Sequence, residues 1–411
     1  MSQKIVHVIN DFPSKSETFI VNHIVETIKE GVEPHIVVNN LAPKEATSQL
    51  HLFNKYNLYE IATSYNMQIP KNKISRLFKA IFVLLTNIRY AHVFFKTLNS
   101  RKYGTKAKSL KMWFQVATFI KYHNFDLFHG HFAVCGQVLA QMKEIGAIKG
   151  AIVTTFYGYD TFSTEENRLK LKFDYRGIFK YSDLIITSSN YLANNLRLLN
   201  VPEDKIIVNP VGVDVDKFKF IDRKVHFPLK LVTVGRLIKL KGQHIGIKAV
   251  KSLIEKGHQV DYSIVGYGDE YKNLKNLISE LRIENYVSLI ETKTQKEVIE
   301  ILNNSHLFLM TSITDENGRA EGQGLVTAEA QSTGIPAIGF NCGGIPETIQ
   351  NNITGYIVEE GQIEELVNKI EMFITDITLI NKMGIAGREY VVKEFNSKIQ
   401  SKKIIDLYNL I

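Results

Sequence analysis

The chain is 411 residues long, 45% hydrophobic and 22% charged, with a net charge of +8. That composition excludes disordered, collagen-like and disulfide-stapled classes and fits a soluble enzyme of two domains, each burying its own core. Its two cysteines, Cys135 and Cys342, offer neither zinc spacing nor a disulfide framework, which points to a reduced, cytosolic setting. The opening MSQKIVHVIN lacks the pattern of a signal peptide, and no run reaches the roughly 18–20 apolar residues of a membrane span.

Lys4 to Asn10 (KIVHVIN) reads as a buried first strand. Ser14 and Glu17 in PSKSETFI have capping-box spacing, so a helix is expected from there to about Glu30, before Gly31. The loop holding Ser16 and Glu17 then sits at the strand's C-terminal edge, where open α/β sheets bind ligands. PHIVV (34–38) is a second strand. No acidic residue occurs between Glu60 and Asp126, while twelve Lys and Arg from Lys71 to Lys121 alternate with Phe78, Phe82, Phe94, Phe95, Trp113, Phe114 and Phe119. That pattern describes a surface lying on anionic lipid, with Trp113 and Phe114 entering the interface. Such attraction is expected to be mostly lost by about 0.5 M salt. Nucleic acid could use the same composition, but no RNA-binding motif accompanies it.

DLFHGHFA (126–133) ends a strand in His129 and His131, and no third ligand at a recognisable spacing joins them, so no metal is expected. AIVTTFYGYD (151–160) is a buried strand closing in Tyr157, Gly158, Tyr159 and Asp160. SDLIITSSN (182–190) is a strand leading into a helix capped by Ser188 or Ser189. In KIIVNPVGVDVDKF (205–218), Asp214 and Asp216 form a D-x-D string.

The second half opens on LKLVTV, which ends in Gly235-Arg236, and Lys241-Gly242 starts the next helix. Arg236 as a fork and Lys241 as a point charge are placed to converge on a diphosphate. Gly266-x-Gly268 follows a strand but lacks the third glycine of a dinucleotide site. YVSLI is a further strand, with Thr292 to Thr294 at its end. HLFLM (306–310) precedes a polar loop, Glu321-Gly322-Gln323-Gly324, and a short helix LVTAEAQST that stops at Gly334. Free backbone N–H groups at Gly324, Leu325 and Val326 would hold a phosphate, flanked by Glu321 and Glu329 as hydroxyl acceptors. Cys342-Gly-Gly-Ile-Pro-Glu347 follows the next apolar run, and Glu389 to Ile411 looks helical.

The Glu321-Gly-x6-Glu329 block and the Gly343-Gly-x-Pro-Glu347 turn resemble the signature of retaining family-4 glycosyltransferases of GT-B fold. PSKSETFI resembles the P-x-x-S-E-T-F-I opening of exopolysaccharide transferases in that family, HGHF its H-x-H-F, and the string around Asp214 its interdomain N-x-V-D-x-x-x-F turn rather than a metal-binding D-x-D. Where relatives show T-F-H-G-x-D, this chain carries Tyr157 in place of the histidine. The resemblance implies an α/β fold of two Rossmann-like domains facing a cleft: residues 1–215 for the acceptor, 216–390 for the nucleotide sugar, and a C-terminal helix, 391–411, returning to the first. It implies transfer from a UDP- or GDP-sugar to a glycan or lipid-linked glycan with retention, without cofactor or obligatory metal; the basic stretch from Lys71 to Lys121 adds the expectation that this happens at the inner face of the cell membrane. The expected catalytic set is Glu321, Arg236, Lys241 and Asp160; Glu329, Gly322, Gln323, Gly324, Leu325, Val326, Gly235, Ser16, Glu17, His131 and Tyr157 are expected to bind substrate. Rival readings are a sugar-nucleotide epimerase, a non-catalytic partner subunit and a nucleic-acid binder.

Overall fold

The computed structural model describes the whole chain except residues 1–2, 15–16, 67–68, 162–163 and 292–293. Among the described residues the strands form two wholly parallel sheets, of seven and six strands. Parallel sheets are covered on both faces, which is why the strands read as unbroken apolar runs.

The first sheet is built from β1 (Lys4–Phe12), β2 (Glu33–Leu41), β3 (Ala62–Ser64), β4 (Leu127–His131), β5 (Ala151–Phe156), β6 (Leu184–Thr187) and β7 (Ile206–Val208). Its order, β3-β2-β1-β4-β5-β6-β7, reverses between β1 and β4, so a crevice opens at their C-terminal ends. The helices around it are α1 (Thr18–Lys29), α2 (Leu50–Lys55), α3 (Lys73–Thr86), α4 (Ala91–Lys96), α5 (Ser100–Lys108), α6 (Lys111–Phe119), α7 (Phe132–Ile145), α8 (Glu165–Tyr181) and α9 (Asn190–Leu198).

The second sheet repeats the plan with β8 (Leu229–Val234), β9 (Val260–Val265), β10 (Val287–Ile290), β11 (Leu307–Met310), β12 (Ala337–Phe340) and β13 (Gly355–Val358). Its order, β10-β9-β8-β11-β12-β13, reverses between β8 and β11. Around it lie α10 (Gln243–Glu255), α11 (Tyr271–Glu280), α12 (Gln295–Asn303), α13 (Leu325–Ser332), α14 (Ile363–Thr375) and α15 (Thr378–Glu394). The expected C-terminal helix is in fact broken at Phe395–Asn396, and α16 (Ser397–Tyr408) packs back on α1. The chain thus passes between the sheets twice, and the two passages pair: Val213 N–H donates to Phe395 O at 2.6 Å, and Ser397 N–H to Val213 O at 2.9 Å.

Two local expectations are corrected. The capping box of Ser14 and Glu17 does not form; α1 starts at Thr18, with Glu17 in the position before it and no side-chain cap. In the basic stretch, Trp113 and Phe114 are only 5% and 2% exposed and belong to the core of the first domain, with Phe94 and Phe119. They enter no interface. The residues turned outward are Phe78, Phe82 and Phe95 together with Ile and Leu of α3. No single described helix is long and apolar enough to cross a membrane.

Candidate active site

The two sheet crevices face one another, and the site is assembled from the loops at their rims. On the second domain, Gly242 adopts a left-handed φ of +60°, and a Cβ there would meet Thr311 O at 2.0 Å. This close approach brings the loop after β8 against the end of β11. It sets Lys241 beside Glu321, with Nζ to Oε2 at 2.5 Å, and Ser312 Oγ donates to the same carboxylate oxygen at 3.2 Å. Both side chains of the ion pair are about 15% exposed, so the pair lies in a partly dry crevice. Arg236 stands exposed on the same loop, with no hydrogen bond or ion pair from its guanidinium among the described residues. Gly235 directly precedes it, and a Cβ there would lie 3.7 Å from Lys241 Cε, in ordinary van der Waals contact.

Gly324, left-handed at φ +84°, begins α13 without a side-chain cap, which leaves the first N–H groups of Leu325 and Val326 for a ligand. The glycine turn explains itself at Gly343: its φ is +59°, and a Cβ would lie 2.1 Å from Glu321 O. Gly344 N–H then donates to that carbonyl at 2.8 Å, so the turn braces the backbone of Glu321. Glu329 is half-buried; burial pushes its carboxyl up to about 7, against a smaller opposing pull from Lys217. It makes no hydrogen bond among the described residues.

On the first domain, Ser16 lies outside the described residues. Glu17 is half-buried beside Asp11, and burial, then that neighbouring carboxylate, raises its carboxyl to about 7. Asp160 is buried, and its oxygens accept from Ala133 N–H at 2.9 Å and Gly158 N–H at 3.2 Å. It therefore shapes the turn at the start of α7, where Phe132 is held at φ +69°, an uncommon conformation for a bulky residue. Burial raises the Asp160 carboxyl to about 6, with those N–H groups pulling the other way.

His131 and Tyr157 do not stand alone. His7 Nδ1 pairs with His131 Nε2 at 3.1 Å, and His131 Nδ1 with the Tyr157 hydroxyl at 2.9 Å. His129 bonds Thr155 Oγ1 at 2.7 Å and the Tyr408 hydroxyl at 2.6 Å, and Tyr408 also meets His23 Nε2 at 2.8 Å. Burial lowers all four histidines, His23 to about 4, so the cluster is neutral. A third histidine joins His129 and His131 from far along the chain, at no recognisable spacing: His7 brings a ring nitrogen within 4.8 Å of theirs. Both nitrogens of His129 and His131 are already hydrogen-bonded, which makes this a polar core ending at Tyr157. His7 and His23 escaped the sequence reading; a histidine inside the apolar run KIVHVIN was the one available signal.

Among the described residues, three polar bridges join the domains around the loop before α13 and the turn at Glu347. Ser189, which caps α9, donates to Gly322 O at 2.6 Å. The side chain of Gln323, a residue expected to bind substrate, spans the domains: its amide accepts from Val211 N–H at 2.8 Å and donates to Val211 O at 2.9 Å. The Glu347 carboxylate accepts from Asn190 N–H and Nδ2 and from Tyr191 N–H at 2.8–2.9 Å, capping α9 from the other domain. Removing it is expected to weaken the closed arrangement by about 1 kcal/mol, the usual worth of a carboxylate at a helix start. Scattering should show Glu347→Ala more expanded than the parent, with a raised acceptor KM; identical size and kinetics would remove the bridge from the argument.

The geometry has clear relatives. Residues 16–217 match the profile of Glycosyltransferase Family 4, and residues 214–390 that of Glycosyl transferases group 1. The putative colanic acid biosynthesis glycosyltransferase WcaL of Escherichia coli K12 is 30% identical over 402 residues, 96% of this chain and 97% of its own. The amylovoran biosynthesis glycosyltransferase AmsK of Erwinia amylovora is 28% identical over 398 residues, 96% and 97% of the two chains. Among solved structures, Anabaena Alr3699/HepE in complex with UDP superposes with a TM-score of 0.74 at 16% identity, covering both chains fully. A glycosyltransferase from Rickettsia africae gives 0.71 at 19%, covering 99% and 98%. With a GT-B fold and both halves of the family's pattern, the chain belongs to the family-4 glycosyltransferases of exopolysaccharide biosynthesis.

Proposed function

We propose that the protein moves a hexose from a UDP- or GDP-sugar to a lipid-linked glycan with retention of anomeric configuration, on the cytoplasmic side of an anionic membrane that it contacts through residues 71–121. The observation that supports this reading best is the Lys241–Glu321 pair at the β8/β11 crevice, with Arg236 on the same loop as Lys241 and the uncapped start of α13 three residues beyond Glu321. The bond from the anomeric carbon to the diphosphate breaks, the acceptor oxygen bonds the same face, and the acceptor's proton passes to the departing diphosphate. Charge gathering on that diphosphate meets Arg236, Lys241 and the N–H groups of α13, with no chemistry required of a cofactor. Glu321 faces the sugar, and Glu329 takes ribose hydroxyls. The relatives are named as biosynthetic glycosyltransferases, which does not favour the epimerase or the partner-subunit readings.

Incubating the pure protein with a panel of UDP- and GDP-sugars should reveal slow hydrolysis of one donor. A folded protein that neither binds nor hydrolyses any of them would end the proposal. Within that assay, Glu329→Ala should raise donor KM about 10- to 100-fold, the equivalent of about 1–3 kcal/mol for a charge-assisted site. A pH dependence follows as well. Hydroxyls bind best to the ionised carboxylate, and this carboxyl ionises only at about 7, so donor affinity should weaken as pH falls from 8 to 6. Glu329→Gln should flatten that slope; an unchanged slope would assign the titration elsewhere.

A further inference from the structure

The outer face of α3 is apolar where a surface helix is ordinarily polar. Ile74, Leu77, Phe78, Ile81, Phe82 and Leu85 recur at helical spacing and are all exposed, Phe78 and Phe82 by 69% and 66%. The opposite side faces the protein: Ala80 is buried, and its carbonyl accepts from the Trp113 indole N–H at 3.2 Å. The helix is therefore pinned with its apolar stripe outward, the reverse of the usual arrangement. At about 150–250 Å² for a large side chain, six such groups expose on the order of 700 Å², beyond the roughly 300–600 Å² of a typical largest patch.

Charge says what covers it. Lys71, Lys73, Arg89, Lys96, Arg101 and Lys108 of the same stretch are exposed, and no acidic residue lies anywhere between Glu60 and Asp126. Beside the stripe, Lys73, Arg76 and Lys108 line a groove of about 410 Å³ shared with Leu77 and Leu110. Its floor is built: the Arg76 guanidinium donates to the carbonyls of Pro70, Lys71 and Ser109 and so ties α3 to the end of α5. A second copy of this chain would set cation against cation. An anionic bilayer offers acyl chains for the stripe and phosphates for the groove.

We propose that α3 lies in the plane of an anionic bilayer with Phe78, Phe82 and their apolar neighbours among the acyl chains, while Lys73, Arg76 and Lys108 seat a lipid phosphate. This rests on the reading of a membrane-borne acceptor but changes its terms: attachment is by apolar insertion, so salt does not undo it.

The test uses the full-length protein and vesicles of phosphatidylethanolamine and phosphatidylglycerol in a 7:3 ratio. Bound protein should fall less than about 10-fold between low salt and 0.5 M salt, because buried apolar area is not screened. The double variant Phe78→Gln, Phe82→Gln should bind at least about 100-fold more weakly at 0.5 M salt, with donor hydrolysis unchanged. Lys73→Ala, Lys108→Ala should weaken binding about 10-fold on these vesicles and not on vesicles of neutral phosphatidylcholine. Wild-type binding that disappears at 0.5 M salt overturns the proposal, as does a Phe78, Phe82 variant that binds like the parent. A wild-type dimer that the same variant dissociates would assign the stripe to self-association. Donor hydrolysis is read separately, so a protein that docks but hydrolyses no donor fails the catalytic proposal alone.

Discussion

Alanine at Arg236 or at Lys241 is expected to lower turnover by about 100- to 1000-fold, the usual loss for one preorganised charge donor. The two losses should differ in kind. Arg236 is exposed and its guanidinium has no partner among the described residues, so its removal subtracts a charge and disturbs little else. Lys241 is held against Glu321 at 2.5 Å, so Lys241→Ala also leaves a carboxylate in a partly dry crevice without its cation. That carboxylate would repel a diphosphate. Lys241→Ala should therefore be the more damaging single change, and adding Glu321→Gln should cost less on top of it than alone. Glu321→Gln alone should appear chiefly in turnover, with donor KM little changed. Single-turnover rates measure all four proteins, and circular dichroism confirms that each is folded. Near-wild-type turnover in Arg236→Ala or Lys241→Ala would take the clamp out of the mechanism.

The second large effect concerns stability. Tyr408→Ala should destabilise the first domain by about 3–5 kcal/mol, as for other buried aromatics cut to alanine. Tyr408 is wholly buried although it lies close to the chain's last residue, and its hydroxyl serves both His23 and His129. Tyr408→Phe keeps the ring and strips the hydroxyl, so it should lose only about 1–3 kcal/mol, the penalty for stranding a buried polar partner. A protein of two domains need not unfold in one step, so the readout is hydrogen exchange in α1 and α16 under mild denaturant. Unaltered protection in Tyr408→Ala would mean that α16 contributes nothing to the first domain.

Much of this architecture could be read from the chain because parallel strands are covered on both faces. LKLVTV, DYSIV, HLFLM and AIVTTF declare themselves as short apolar runs, and each turns into a loop at the edge where ligands bind. Local chemistry also gave the start of α13 at Gly324 and narrowed the cap of α9 to Ser188 or Ser189, of which the structure uses Ser189. What escaped depends on partners far along the chain. The Lys241–Glu321 pair spans 80 residues, Glu347 caps a helix 157 residues away, and His23 meets a tyrosine 385 residues on. The outward placement of Trp113 and Phe114 failed for another reason. Periodicity tells which residues share a helix face but not on which side the core lies, so Phe78 and Trp113 looked alike. One is on the outside and the other is packed against Phe94 at 4.9 Å.

The paired passages at Val213 and Asn396 decide how the enzyme can move. A single linker would let the two lobes swivel, slide or twist about one another. Two lengths of backbone stitched together by hydrogen bonds behave as the spine of a book: bending is easy, whereas shearing or twisting would tear the stitches. A substitution at Gly212 would jam that spine, because a Cβ there would lie 2.3 Å from Ser397 Cα. Opening must then be widest at the page edges and least at the binding. Val211 lies two residues from Val213, so the two hydrogen bonds that hold it to Gln323 sit close to the binding, where the leaves part least.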